Sequence, residues 1–301
     1  MITVLKQVWE KCREQNMGLY AAFVDLTKAF DTVSRDGLWK ILARLGCPPK
    51  FLTILRQLHE GLQGQMQHNG SLSGSFPISN GVKQGSVLAP TLFSIFFRIM
   101  LREAKDDLSD GIYIGFRTDG RLFNLRRLLA RTKAIEELIT ELLFADDCAL
   151  LAHTEEALQH IVNRFSDAAK NIGLTISLKK IEVLYQLPLR ESYSPPHISI
   201  DGINLNAVEH FIYLGSVISN DAIVGKNLDN HLSKASSSFG RLSKRVWQSH
   251  AFHLTTKIQV HRAVVVPTLL YGAETWVLYR KQTRLLERFH QRCLRSILGI
   301  L

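Results

Sequence analysis

The fold class predicted for this 301-residue chain is an α+β core followed by a basic, mainly α-helical module, and three observations carry that prediction. Apolar runs of strand length intersperse with long amphipathic stretches, without the steady βαβ rhythm of a parallel sheet. At 46% hydrophobic residues, the chain can bury a sizeable core and hold two domains rather than one. The net charge of +10 is uneven: residues 1–222 hold 24 Lys/Arg against 24 Asp/Glu, whereas residues 223–301 hold 13 against 3, which is the whole excess. A basic terminal module of that size points to a polyanion, nucleic acid before an acidic membrane surface, with a solvated basic helix face as the plain alternative.

In chain order, "GLYAAFVDL" has the apolar run of a buried strand and places Asp25 at its end. Ser34 can cap a helix that Gly46 and Pro48 stop. In "PKFLTILRQLHEGL" the spacing of Phe51, Ile54, Leu55, Leu58 and Leu62 predicts one buried helix face, and Asn69-Gly70 marks a hairpin. Pro90 can open a helix through "TLFSIFFRIML", apolar on nearly every side and so expected to be buried.

"GIYIGFRTDGRLFNL" predicts a hairpin turning at Asp119-Gly120. After "LLFADDCALLA", Thr154 can cap a helix whose buried stripe is Leu158, Ile161, Val162, Phe165, Ala169 and Ile172, ended by Gly173. "LTISLKKIEVLYQ" predicts strands flanking a turn, "HISIDGINL" and "HFIYLGSVIS" predict small sheet regions, and Lys226 to Leu301 is mostly helical. Pro188, Pro195 and Pro196 mark one joint and "SNDAIVGKN" another.

Cys12, Cys47, Cys148 and Cys293 form no C-x-x-C pair, which argues against a disulfide framework or a zinc finger and suits core residues in a reducing compartment. No export signal or spanning segment is visible, because Pro267 and Glu274 interrupt the most apolar late stretch; an intracellular protein is expected.

The adjacent carboxylates Asp146 and Asp147, set in an apolar run, need an explanation. Two unit charges ~4 Å apart repel by roughly 4 kcal/mol at an effective dielectric near 20. One reading is an exposed hairpin tip; the other is a metal site. If the strands are neighbours, Asp25 converges on the pair, and three carboxylates at one point suit divalent cations bridged to substrate phosphates. That chemistry is nucleotidyl transfer, joined here to a basic module.

"AFVDLTKAFDTV", "GVKQGSVLAPTLFS", "LLFADDCALLA", "GLTISLKKIEVL" and "FIYLGSVIS" resemble, in that order, the palm motifs of reverse transcriptases from non-LTR (LINE-like) retrotransposons. The resemblance covers roughly Met1 to Asp221. It implies a right-hand polymerase palm, with a ferredoxin-like antiparallel sheet and packed helices, followed by a thumb-like helical module. The implied domains are 1–190 (palm with partial fingers), 191–222 (a primer-grip-like β region) and 223–301 (thumb and downstream region).

The resemblance further implies that Asp25 and Asp146 are the principal ligands of two Mg²⁺ ions, or of Mn²⁺, with Asp147 supporting them. Phe30 corresponds to the ring that crowds a ribonucleotide 2′-hydroxyl, or is a plain core aromatic. Gln84 and Gly85 lie against incoming nucleotide and template, or form a turn before a helix. Lys180 matches a lysine proposed to protonate pyrophosphate, or is a surface lysine. Tyr213, Leu214 and Gly215 match the primer grip, or an ordinary strand and turn. In the tail, Lys234, Arg241, Lys244 and Arg245 are placed to run along a phosphate backbone, and Trp247 to stack on a base or pack into a bundle. The implied partners are an RNA template, a DNA primer and dNTPs.

Three departures bear on activity. Only 24 residues stand before Asp25, where the family has a long fingers segment. No endonuclease precedes the motifs and no RNase H pattern follows them. Ser177 and Ile181 replace the asparagine and threonine of the Asn-x-x-Lys-Thr motif. A fragment of reduced or no activity is therefore expected. The rival readings are an RNA-dependent RNA polymerase using Asp31, a group II intron maturase, and a nucleic-acid-binding remnant without catalysis.

Overall fold

The computed structural model describes residues 2–83, 85–105, 110–117, 134–188, 194–220 and 224–300. The chain forms two compact units, Gln15–Val208 and Met1–Glu14 with Glu209–Leu301.

The larger unit is built on a five-stranded sheet. Its strands are β1 (Leu19–Val24), β4 (Glu141–Phe144), β5 (Asp147–Ala152), β6 (Glu182–Gln186) and β7 (Asn206–Val208), in the order β7-β6-β1-β5-β4. The apolar run of β1 takes the centre, paired antiparallel with β6 (Leu19↔Gln186) and β5 (Val24↔Cys148). The expected antiparallel sheet needs one correction: β7 runs parallel to β6. A parallel neighbour requires a crossover of a dozen or more residues, and the chain from 187 to 205 supplies it.

Helices α2 (Ala29–Thr32), α3 (Arg35–Arg44) and α4 (Pro49–Gln57) follow β1, and α5 (Ala89–Lys105) and α6 (Glu155–Asn171) pack against the sheet. The caps fall where the sequence puts them. Ser34 accepts from the Gly37 N–H and Thr154 from the Ala157 N–H, each satisfying an orphan donor. The α5 face Leu92, Phe93, Phe96, Phe97 and Met100 meets the α6 stripe Leu158, Ile161, Val162 and Phe165 in one core. Each such side chain stabilises the unit by roughly 1.5–3 kcal/mol of burial.

The buried face of α4 matches the predicted one at Leu55 only, with Leu62 beyond the helix half-buried. Phe51, Ile54 and Leu58 are exposed, and the inward face is Leu52, Leu55 and His59. Both sets have helical spacing, so periodicity alone admits either rotation; His59 can turn inward because its Nδ1 lies 2.8 Å from the Leu55 carbonyl. Strand β2 (Ile112–Arg117) pairs antiparallel with β3 (Ala134–Ile139), and the expected hairpin turn at Asp119-Gly120 lies outside the described residues.

In the smaller unit, helix α1 (Ile2–Glu14) accompanies a hairpin of β8 (His210–Tyr213) and β9 (Ser216–Ser219) and the helices α7 (Val224–Arg241), α8 (Leu254–Val260), α9 (Val266–Leu270) and α10 (Arg280–Leu298). Wider π-type turns at Ser243–Trp247 and His261–Val265 join them. Trp247 belongs to the bundle. Its ring stacks on Phe239 at 5.0 Å and its Nε1 donates to the Phe239 carbonyl at 2.7 Å. No helix among the described residues is long and apolar enough to cross a membrane.

Cys12, Cys148 and Cys293 are buried, and burial pushes their thiols up, Cys12 to about 12; Cys47 is half-exposed. A thiol reagent such as DTNB is therefore expected to modify Cys47 alone in the folded protein and all four cysteines after denaturation. Fast reaction of a second thiol in the folded state would contradict this packing.

Candidate active site

Strand pairing brings the carboxylates together. Val24 faces Cys148 across β1 and β5, and continuing that antiparallel register by one residue sets Asp25 opposite Asp147. The β4–β5 hairpin closes with Phe144 opposite Asp147, leaving Ala145 and Asp146 as the turn. Ala145 has φ 56°, and Lys28, just after Asp25, has φ 50°. Non-glycine residues in the left-handed region cost roughly 1–2 kcal/mol each, and such strain concentrates at functional sites.

A third segment lies alongside. Leu26 bridges Ile176, and the Ser177 N–H donates to the Asp25 carbonyl at 2.9 Å. The turn that follows, closed by Lys180 N–H to the Ser177 carbonyl at 2.9 Å, brings the Lys180 ammonium to 3.3 Å from both Asp25 oxygens. The pair is largely solvated, so its worth is no more than about 1 kcal/mol. Its effect is to place a proton-bearing group at the acidic site. Ile181 is fully buried in the core, which accounts for an apolar side chain where the motif has a hydroxyl.

The convergence has an electrostatic consequence. Burial first, then the charges of Asp146 and Asp25, raise the Asp147 carboxyl above its ordinary range. Among the described residues, however, no three acidic, histidine or cysteine side chains close on one point as a metal cage. An ion such as Mg²⁺ does not require such a cage, since one or two carboxylates with water and substrate phosphate complete its shell.

The Asp147 shift has a testable sign. A carboxyl raised in the fold costs nothing below the ordinary carboxylate range, begins to lower stability as pH climbs past its ordinary unfolded value, and has its full cost above its folded value. Asp147→Asn is therefore expected to raise the Tm of metal-free protein at pH 7 by about 1–3 °C, the side chain being partly solvated. The gain should vanish below about pH 4. An unchanged or lowered Tm at pH 7 would show that burial and the neighbouring charges do not together hold the Asp147 carboxyl up.

The other candidates divide between the units. Phe30, at α2, is half-buried and stacks on Phe93 with ring centroids 4.5 Å apart. Gly85 has φ 79° with open space beside it, and Gln84 lies outside the described residues. In the smaller unit, Leu214 and Gly215, both left-handed at φ 48° and 82°, form the two-residue β8–β9 turn; the Tyr213 side chain is buried.

Lys234, Arg241, Lys244 and Arg245 are exposed. Sequence reasoning passed over a longer row: Arg280, Arg284, Arg288, Arg292 and Arg295 are all exposed on α10, opposite its buried Phe289, Cys293 and Ile297. Their three- and four-residue spacing was the available signal.

The sequence pattern of the family "Reverse transcriptase (RNA-dependent DNA polymerase)" matches residues 3–218. The RNA-directed DNA polymerase from mobile element jockey of Drosophila melanogaster is 24% identical over 262 residues, 85% of this chain and 25% of that protein. Its counterpart in Drosophila funebris is 26% identical over 269 residues, 85% of this chain and 26% of that protein. The Pol polyprotein from the type-1 retrotransposable element R2 of Bradysia coprophila is 25% identical, covering 77% of this chain and 25% of that protein. The chain thus spans about a quarter of the length of these relatives.

Among solved structures, telomerase from Candida albicans with a TWJ fragment of telomeric RNA aligns with 98% of this chain and 47% of that one, at 12% identity and a TM-score of 0.46. Apo telomerase from Candida tropicalis aligns with 72% of this chain and 39% of that one, at 14% identity and a TM-score of 0.45. With the family pattern running through the strands that carry Asp25, Asp146 and Asp147, the chain belongs to the reverse transcriptase family, among its non-LTR, LINE-like members.

Proposed function

We propose that the chain is the palm and thumb portion of an RNA-directed DNA polymerase that adds dNTPs to a primer 3′-hydroxyl on an RNA template. The observation that carries the reading is the meeting of Asp25, Asp147 and Lys180 at the ends of β1 and β5, with Asp146 at the adjoining turn. Residues 1–190 are assigned to the palm with partial fingers, 191–222 to the primer-grip region and 223–301 to the thumb and downstream part. Asp25 and Asp146 are the principal holders of two divalent ions, Mg²⁺ or Mn²⁺, with Asp147 supporting them. When bound, such ions activate the attacking hydroxyl and neutralise the leaving pyrophosphate.

In the transfer, the primer 3′-hydroxyl gives up its proton to solvent and its oxygen forms a bond to the α-phosphorus as the bond from that phosphorus to pyrophosphate breaks. Lys180 supplies a proton to the departing oxygen. Phe30 crowds the space of a 2′-hydroxyl, favouring deoxynucleotides. Tyr213, Leu214 and Gly215 hold the primer end. Lys234, Arg241, Lys244 and Arg245, with the arginine row of α10, neutralise phosphates of the nucleic acid.

Primer extension on an RNA template with Mg²⁺ tests the reading, comparing dNTPs with rNTPs and using Asp146→Asn as control. Weak incorporation of dNTPs that the control abolishes is the expected result. Preference for rNTPs would make the chain an RNA polymerase, and no incorporation alongside salt-sensitive RNA binding would make it a binding remnant.

A further inference from the structure

Arg35 opens α3, ten residues beyond Asp25, and no motif of the reverse-transcriptase resemblance gives it a role. Its guanidinium donates four hydrogen bonds, all to backbone carbonyls. Nε reaches Gly81 at 2.9 Å, Nη1 reaches His59 at 2.7 Å and Ile78 at 3.0 Å, and Nη2 reaches Asn80 at 3.2 Å. The planar fork thus holds the chain from 78 to 81 and the end of the α4 region in one grip. A lysine, with a single ammonium, does not reproduce this geometry.

The gripped segment is itself bonded to the turn that carries Phe30. Val82 N–H donates to the Phe30 carbonyl and Gly81 N–H to the Val33 carbonyl, both at 2.9 Å. Val33 and Val82 are buried in the core, so these two bonds anchor to fixed points. Gly81 also lies so close that a Cβ there would stand 2.7 Å from the Asp31 Cα and carbonyl oxygen and 2.8 Å from the Phe30 carbonyl oxygen. With φ 82° as well, the position admits glycine only without displacement of backbone. On its other side the Phe30 ring rests on Phe93. The ring is therefore bracketed, with an aromatic surface behind it and, at its own backbone, a segment that Arg35 holds.

We infer that Arg35, acting with Gly81, is a positioning residue that fixes where the Phe30 ring stands and so sets the discrimination between deoxyribonucleotides and ribonucleotides. The inference rests on the polymerase reading proposed above. An exclusion contact of this kind is steep in distance, so displacing the Phe30 backbone by a few tenths of an ångström relaxes it. Arg35 touches neither nucleotide nor metal ligand in this scheme; it acts through the Phe30 main chain.

The test combines three variants of the protein, Arg35→Lys, Gly81→Ala and Phe30→Val, with two readouts. Amide hydrogen exchange, followed without nucleotide, is expected to speed up at Gly81 and Val82 in Arg35→Lys while Leu19–Val24 stays protected, which shows that the fold is kept. The ratio of dNTP to rNTP incorporation efficiency is expected to fall about tenfold in Arg35→Lys and in Gly81→Ala, chiefly through a lower KM for rNTPs. In the double variant with Phe30→Val, the loss should be no larger than that of Phe30→Val alone, because both act through one ring. An unchanged ratio with the loop opened, or additive losses in the double variant, would overturn the inference and leave the polymerase reading standing. A wild-type chain that incorporates neither sugar overturns the polymerase reading, and this inference falls with it.

Discussion

Asp25→Asn is expected to lower primer extension by about 10³-fold or more, some 4 kcal/mol of transition-state stabilisation, while leaving the fold in place. The two halves of this expectation have separate physical grounds. The carboxylate follows the central strand, lies opposite Asp147 in register and is paired with Lys180, so on the proposed reading the substitution removes one of the two principal holders of divalent ions together with the partner of the ammonium. The backbone does not depend on that charge: the Asp25 carbonyl still accepts from Ser177, and β1 keeps its pairing to β5 and β6.

Asp25→Asn also relieves Asp147, whose carboxyl is raised partly by Asp25, so that carboxyl should titrate closer to the ordinary range in the variant. Extension assays over a range of Mg²⁺ concentrations, with thermal melting as the fold control, check the prediction. Retention of more than about a tenth of wild-type extension, with the melt unchanged, would remove Asp25 from the reaction centre.

The strands and caps of this site were legible because their causes are local. An apolar run closed by Asp25 makes a buried strand, a serine or threonine ahead of an amphipathic stretch makes a cap, and Asn69-Gly70 makes a hairpin, with φ 48° and 82° at the two residues. The convergence of Asp25 with Asp146 and Asp147 was expected only on condition that their strands were neighbours, a long-range fact that β1–β5 pairing supplies. Where two local solutions are equally good, the pattern did not decide. The α4 apolar residues fit two rotations, and the one adopted buries His59 and leaves Phe51, Ile54 and Leu58 outside.

Arg35 left no local signal at all. Its acceptors are carbonyls up to 46 positions away, and a carbonyl has no identity in a sequence. The parallel edge strand β7 is hidden for a related reason, since its direction is set by the length and path of the connection before it rather than by its own residues.

The largest effect on stability is expected at Phe93. This side chain is fully buried on α5, and its ring joins Phe30, at 4.5 Å, to Phe97, at 5.5 Å, with Phe97 in turn edge-on to Phe165 of α6 at 6.4 Å. Phe93→Ala therefore removes both the burial of one large ring and an inner member of the four-ring aromatic row linking α2, α5 and α6. Large-to-small changes of this kind cost roughly 3–5 kcal/mol, a transfer loss plus a cavity that rigid neighbours cannot fill. Against a total stability of about 5–15 kcal/mol that is a large fraction, and the Tm should fall by about 10 °C.

Phe93→Leu should recover much of the loss, since it refills the volume without the ring stacking; equal destabilisation by leucine would mean that aromatic geometry rather than packing dominates. Because the same ring is the surface on which Phe30 rests, the alanine variant has a second consequence at temperatures where it remains folded. Phe30 loses its backing while Arg35 still holds its backbone, so sugar discrimination should weaken in Phe93→Ala and be largely restored in Phe93→Leu, coupling core packing to substrate choice through a single contact.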